Sequence, residues 1–165
     1  MAYKKQQRGI VLLEVLVASL LFVIGIVGLM KAMGIAQTAQ SDAQNRSEAA
    51  NFASLIVDQM RVLADRSSAD NFKTSLESFR HLTSSSGTCS FSGTASTNAA
   101  VTAWVTSVRT GTGHLPASTA AMQQILVDTD PATGFNKVTV TVCWQSPNDV
   151  QPRRHTYAAY VNENF

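Results

Sequence analysis

Glu14 is the only charged residue in the 21-residue run from Ile10 to Met30. In a bilayer, a carboxylate near the start of such a helix costs a few kcal/mol unless it is neutralised or paired. No Lys or Arg lies within a helical turn of it inside the run, so the partner has to come from outside this helix. Snorkelling to the interface, or staying protonated, is the alternative that leaves Glu14 without a role. Just upstream stands the junction Gly9-Ile10. A residue with no Cβ before a scissile bond lets an extended backbone enter a protease cleft unobstructed. Cleavage there leaves an ammonium at the end of an apolar helix. A carboxylate one turn into a neighbouring, axially staggered helix can pair with that ammonium and neutralise both charges in a low dielectric.

The other chemistry-bearing residues are few. Asp128, Asp130 and Gly134 resemble a calcium loop, but a third acidic ligand and the terminal Glu of an EF-hand are missing. A hairpin turn shaped by Asx, Pro and Gly accounts for them. His81, His114 and His155 lack metal-ligand spacing, and no Ser-His-Asp, nucleophile-elbow or phosphate-loop pattern is present. No metal, cofactor or enzymatic activity is expected. Arg153-Arg154 reads as a solvated strand end.

These residues need an anchor and a domain to place them. At 165 residues the chain has room for one domain. With 45% apolar and 15% charged residues it is neither disordered nor a small disulfide scaffold. The run Ile10 to Met30 spans about 31 Å as a helix, the thickness of a bilayer's hydrocarbon core. Lys4, Lys5 and Arg8 precede it and only Lys31 follows closely. The positive-inside rule then predicts a cytoplasmic N-terminus and a translocated remainder. A cleaved secretory signal, with Ala32 and Gly34 as a small-x-small site, is the alternative; its apolar core is usually only about 7–15 residues and carries no carboxylate. Of 13 Lys and Arg, three fall in the first nine residues, leaving 10 against 11 acidic residues from position 10 onward. The basic balance belongs to the N-terminal flank, and no nucleic-acid surface is expected on the body.

The stretch Arg8-Gly9-Ile10-Val11-Leu12-Leu13-Glu14-Val15-Leu16-Val17-Ala18 resembles the class III signal of type IV pilins and pseudopilins. That pattern is a basic leader, Gly, a fifth-position Glu and an apolar helix; the family usually has Phe or Met where Ile10 stands. The resemblance implies that a membrane-embedded prepilin peptidase cuts after Gly9 and methylates Ile10, and that Glu14 is the assembly glutamate. Further along, Trp104, then Leu115-Pro116, then Val138-Thr-Val-Thr-Val-Cys-Trp144 resemble the PilV family of minor pilins. This implies an inner-membrane protein with a periplasmic C-terminal domain. It would later enter a pilus, with other minor pilins, the major pilin and the inner-membrane assembly platform as partners. Within the superfamily, a minor pseudopilin of a type II secretion system is the alternative. A secreted binding module or enzyme with an ordinary signal is the reading from another class.

The expected fold is α+β, pilin-like: a long N-terminal helix packed on an antiparallel sheet of about three strands. Residues 1–9 are the leader, 10–30 the membrane helix, 31–66 its amphipathic continuation and 67–165 the periplasmic domain. Met33, Ala36, Ala39, Ala43, Ala50, Ala53, Val57, Met60 and Leu63 or Ala64 carry the helical period outward. Gly25, Gly28 and Gly34 permit close helix approach. Short helices are expected over Asp70 to Leu82 and around Val101, Trp104, Val105 and Val108, the latter capped by Thr97 or Asn98. Ser84 to Asn98 reads as a loop. Met122 to Val127, Val138 to Trp144 and His155 to Val161 read as strands. With the domain outside the inner membrane, where disulfides form, Cys89 and Cys143 are expected to bridge.

Overall fold

A computed structural model of the chain describes residues 7–129, 135–147 and 149–162, with side chains from residue 11 onward. Residues 1–6, part of the expected leader, together with Asp130 and Gly134 of the calcium-loop candidate, lie outside the described residues. Two compact units divide the chain, Met1–Asp42 and Ala43–Phe165. The elements in order are α1 (Gln7–Leu63), α2 (Ala69–Glu77), β1 (Ser84–Gly87), β2 (Ser90–Ser92), α3 (Ala99–Thr110), β3 (Gln123–Thr129), β4 (Asn136–Trp144) and β5 (Arg153–Tyr160). The class is α+β, as the switch from helical to alternating periodicity predicts.

The second unit is built on β4. Its Val138, Val140, Val142 and Trp144 point to one face and are all buried, as strict alternation requires of a strand with a covered face. β3 and β5 pair on either side of it, antiparallel, giving the order β3-β4-β5. Onto this face α1 lays Ala49, Phe52, Ala53, Ile56, Val57, Met60 and Ala64, which share one core cluster with the sheet. Complete burial of a side chain such as Ile56 contributes about 1.5–3 kcal/mol. The covered stripe starts at Ala49 and runs through Phe52 and Ile56, positions the alanine period passed over. Residues 11–40, including Met33, Ala36 and Ala39, are all exposed. Alanine supports a helix without burial, so its recurrence marks helix but does not mark which turns are covered.

Both short helices begin at side-chain caps. Ser68 Oγ accepts from Asn71 N–H at 3.2 Å to open α2, and Asn98 Oδ1 accepts from Ala100 N–H at 2.9 Å to open α3. Phe72 and Leu76 of α2, and Val101, Trp104, Val105 and Val108 of α3, join the core. Trp104 Nε1–H donates to the Phe52 carbonyl at 2.8 Å, fastening α3 to α1 through a buried bond. Trp104 is thus a core anchor.

The Ser-rich stretch expected as a loop contains a small hairpin, β1 paired with β2, with an irregularity between Ser85 and Gly87. Its sequence, Ser84-Ser-Ser-Gly, has no apolar alternation, so no local pattern announces it. What holds it is tertiary: Phe91 and Cys89 pack with Cys143, Leu82 and Met122 on the sheet's other face. The strand ends also differ by one or two residues from the sequence pattern. Pairing with β4 from Gln123↔Val142 to Thr129↔Asn136, and from Lys137↔Tyr160 to Trp144↔Arg153, sets them.

Candidate functional site

The residues singled out for chemistry fall in two places. The first is the start of α1. Gly9 and Ile10 lie within the helix and Glu14 follows one turn later, about 6 Å along the axis at 1.5 Å per residue. The Gly9-Ile10 junction is therefore helical. Opening this turn to extended backbone is inexpensive, because the first turn's N–H groups have no intrahelical partners and Gly disfavours helix by about 1 kcal/mol.

Beyond Glu14 the helix presents apolar side chains on every side. Val11, Leu12, Leu13, Val15, Leu16, Leu20, Leu21 and Phe22 are each more than half exposed. The helix is long and apolar enough to cross a membrane once. Ser19 Oγ donates to the Leu16 carbonyl at 2.9 Å, so this hydroxyl's proton is satisfied within the helix itself. Glu14 is exposed on the same cylinder. An added Cβ at Gly25, Gly28 or Gly34 would meet nothing within 4 Å, so within one chain nothing uses these close-approach positions.

The second place is the back of the sheet. Cys89 and Cys143 form a disulfide across 54 residues of sequence, with Cα atoms 5.8 Å apart. Cys143 is on β4, facing away from α1, and Cys89 sits in the turn between β1 and β2 at φ 63. That left-handed conformation costs a residue with a Cβ roughly 1–2 kcal/mol. The bridge is a structural staple: it fixes the hairpin to the central strand.

The remaining candidates are dispersed. Asp128 is exposed at the end of β3, and among the described residues no cluster of His, Cys, Asp or Glu could hold a metal. Arg153 and Arg154 differ in use: the Arg153 guanidinium clamps Asp149 through two bonds of 2.8 Å, while Arg154 is exposed. The Arg153 bonds hold the Asp149 carboxyl below the usual carboxylate range.

His81 has a role that its spacing did not suggest. Its backbone exchanges both N–H and C=O bonds with Ile125 at 3.0 Å, capping the outer side of β3. Its Nδ1 accepts from Ser96 N–H at 3.1 Å, which requires the neutral ring. Burial pushes the imidazole below its ordinary range, with the Ala120 carbonyl opposing. A lone His between Arg80 and Leu82 gives no sequence signal for this, because its partners lie 15 and 44 residues away.

No family model, no curated protein and no solved structure matches this chain.

Proposed function

We propose that the chain is a minor type IV pilin of the PilV kind. Prepilin peptidase cuts it after Gly9 and methylates Ile10. The helix from residue 10 to 30 holds it in the inner membrane, with the N-terminus cytoplasmic and the α+β domain periplasmic. Glu14 then draws it, with other minor pilins and the major pilin, into the priming or tip complex on the assembly platform. One observation carries this reading: a single carboxylate, one turn past a Gly-Ile junction, stands exposed in the otherwise apolar stretch 10–30 of a helix whose far end is built into the core of a disulfide-stapled α+β domain.

The physical logic is the pairing of costly charges. Glu14 in lipid and a new ammonium at Ile10 are each unfavourable alone, and two staggered copies of such a helix cancel both. The domain supplies the outer body, and the staple suits an oxidising compartment. Mass spectrometry of the mature N-terminus from membrane-purified protein tests the reading. The expected start is methyl-Ile10; a start near residue 35 would mean an ordinary signal and end the pilin reading.

A further inference from the structure

Among the described residues the outer side of β5 carries no ladder, since the sheet ends there in the order β3-β4-β5. Two observations show which groups line that edge. Val161 N–H donates to the Asn136 carbonyl, so Val161 bonds toward β4. Ile125 spends its N–H and C=O on His81, so its partner Val140 turns its own toward β5, where it faces Tyr157. Orientations alternate along an antiparallel ladder, and both observations agree. In β5, residues 153, 155, 157 and 159 bond to β4, while Arg154, Thr156, Ala158 and Tyr160 turn N–H and C=O outward.

Soluble proteins usually blunt such an edge with Pro, a bulge or a covering segment. The outer side of β3 is capped in this way at Ile125 by His81. β5 has neither Pro nor Gly, and its register with β4 is unbroken. Its row of alternating donors and acceptors, left to solvent on these exposed residues, is matched in spacing by another extended backbone.

We propose that β5 is a self-docking strand, to which a second copy of this chain adds its own β5 antiparallel, centred on Tyr157. That register follows from the edge itself. Placing Arg154 opposite Tyr160 and Thr156 opposite Ala158 pairs every outward N–H and C=O of both strands, and a slip by two residues leaves end groups unpaired. Side chains agree with it. Arg154 is exposed without an ion-pair partner among the described residues, and Tyr160 is 60% exposed with Phe135 edge-to-face at 5.9 Å. The antiparallel register sets the guanidinium of one copy against the ring of the other, a favourable cation–π arrangement. A parallel one would stack Arg154 on Arg154. Thr156 and Ala158, between them, are small enough to leave the approach open. The inference does not rest on the function proposed above.

The test uses the full chain in detergent micelles, where both native cysteines are tied to each other and leave no free thiol. Chains carrying Thr156→Cys are mixed with chains carrying Ala158→Cys under mild oxidation. Facing Cα atoms in a hydrogen-bonded antiparallel pair lie about 5.5 Å apart, within disulfide reach. A mixed disulfide dimer is expected, well above the yield from Thr156→Cys with Thr102→Cys on α3. Adding Arg154→Pro to both chains removes an outward N–H from each without touching the β4 ladder. It should lower the yield about tenfold, with tryptophan fluorescence reporting an intact domain. Arg154→Ala, which keeps the backbone, should give a smaller fall. A yield no higher than the Thr102→Cys control, or one unmoved by both Arg154 variants, overturns self-docking and leaves the edge to a strand from another protein.

Discussion

Removing the Cys89–Cys143 bridge should cost the domain roughly 4 kcal/mol. The bridge closes a span of 54 residues, and the loop-closure relation gives about 4 kcal/mol at 25 °C for a loop of that length. The structure shows what remains without it. The hairpin β1–β2 keeps Phe91 as its buried apolar contact, against Leu82 and Met122, while Cys89 loses the covalent tie that holds its left-handed backbone. A domain of this size has only about 5–15 kcal/mol in total, so the loss is large. The perturbation is Cys89→Ala with Cys143→Ala, which keeps both sites small and avoids free thiols. Urea unfolding of the full chain in micelles reads it through Trp104 and Trp144, the chain's two tryptophans, both buried in the core. With a slope of about 1–3 kcal/mol per molar urea, the midpoint should fall by roughly 1–4 M. A fall equivalent to less than about 1 kcal/mol at unchanged slope would refute the reasoning. It would show that the hairpin undocks independently, so that the bridge constrains only that segment.

Glu14→Leu should leave membrane residence and cleavage intact while sharply lowering the ratio of pilus-associated to membrane-held protein; an unaltered ratio in sheared fractions would assign assembly to another surface. Trp104→Phe removes the bond to the Phe52 carbonyl and part of a buried ring, and should cost roughly 1.5–3 kcal/mol in the same urea titration. For His81 the folded imidazole binds its proton less readily than the unfolded one, so the unfolded state takes up more protons as pH falls. Its contribution is complete above the ordinary value of 6.5 and is lost as pH drops through the lower folded value. Thermal midpoints should therefore decline across that window. His81→Asn, whose Oδ1 can replace Nδ1 as acceptor for Ser96 N–H, should flatten this part of the profile.

How much was legible in the sequence depends on how far apart the cause and its effect lie. The membrane-length helix, the isolated carboxylate at Glu14, the buried face of α3 and the alternation of β4 are all written within a few residues of themselves. Hydrophobic periodicity is a local property, so composition and spacing suffice for them. The cysteine pairing was also open to reasoning, because there are only two cysteines and one possible partner for each. The hairpin at residues 84–92 was not, since serine and glycine have no pattern of their own and become strand only where Phe91 and Cys89 find Cys143. Nor could the sequence say that coverage of α1 begins at Ala49, because alanines recur both above and below that point. His81 needed both Ile125 and Ser96 in place before its ring had a reason to stay neutral. The free edge of β5 likewise exists only once β4 has taken the other side of that strand. Sequence by itself determined where the helices and the three strands of the larger sheet would lie and where a charge stood alone in an apolar run. Tertiary structure decided which faces were covered, which backbone groups were left over and which polar side chains became fixed, because those depend on partners tens of residues away that no local period encodes.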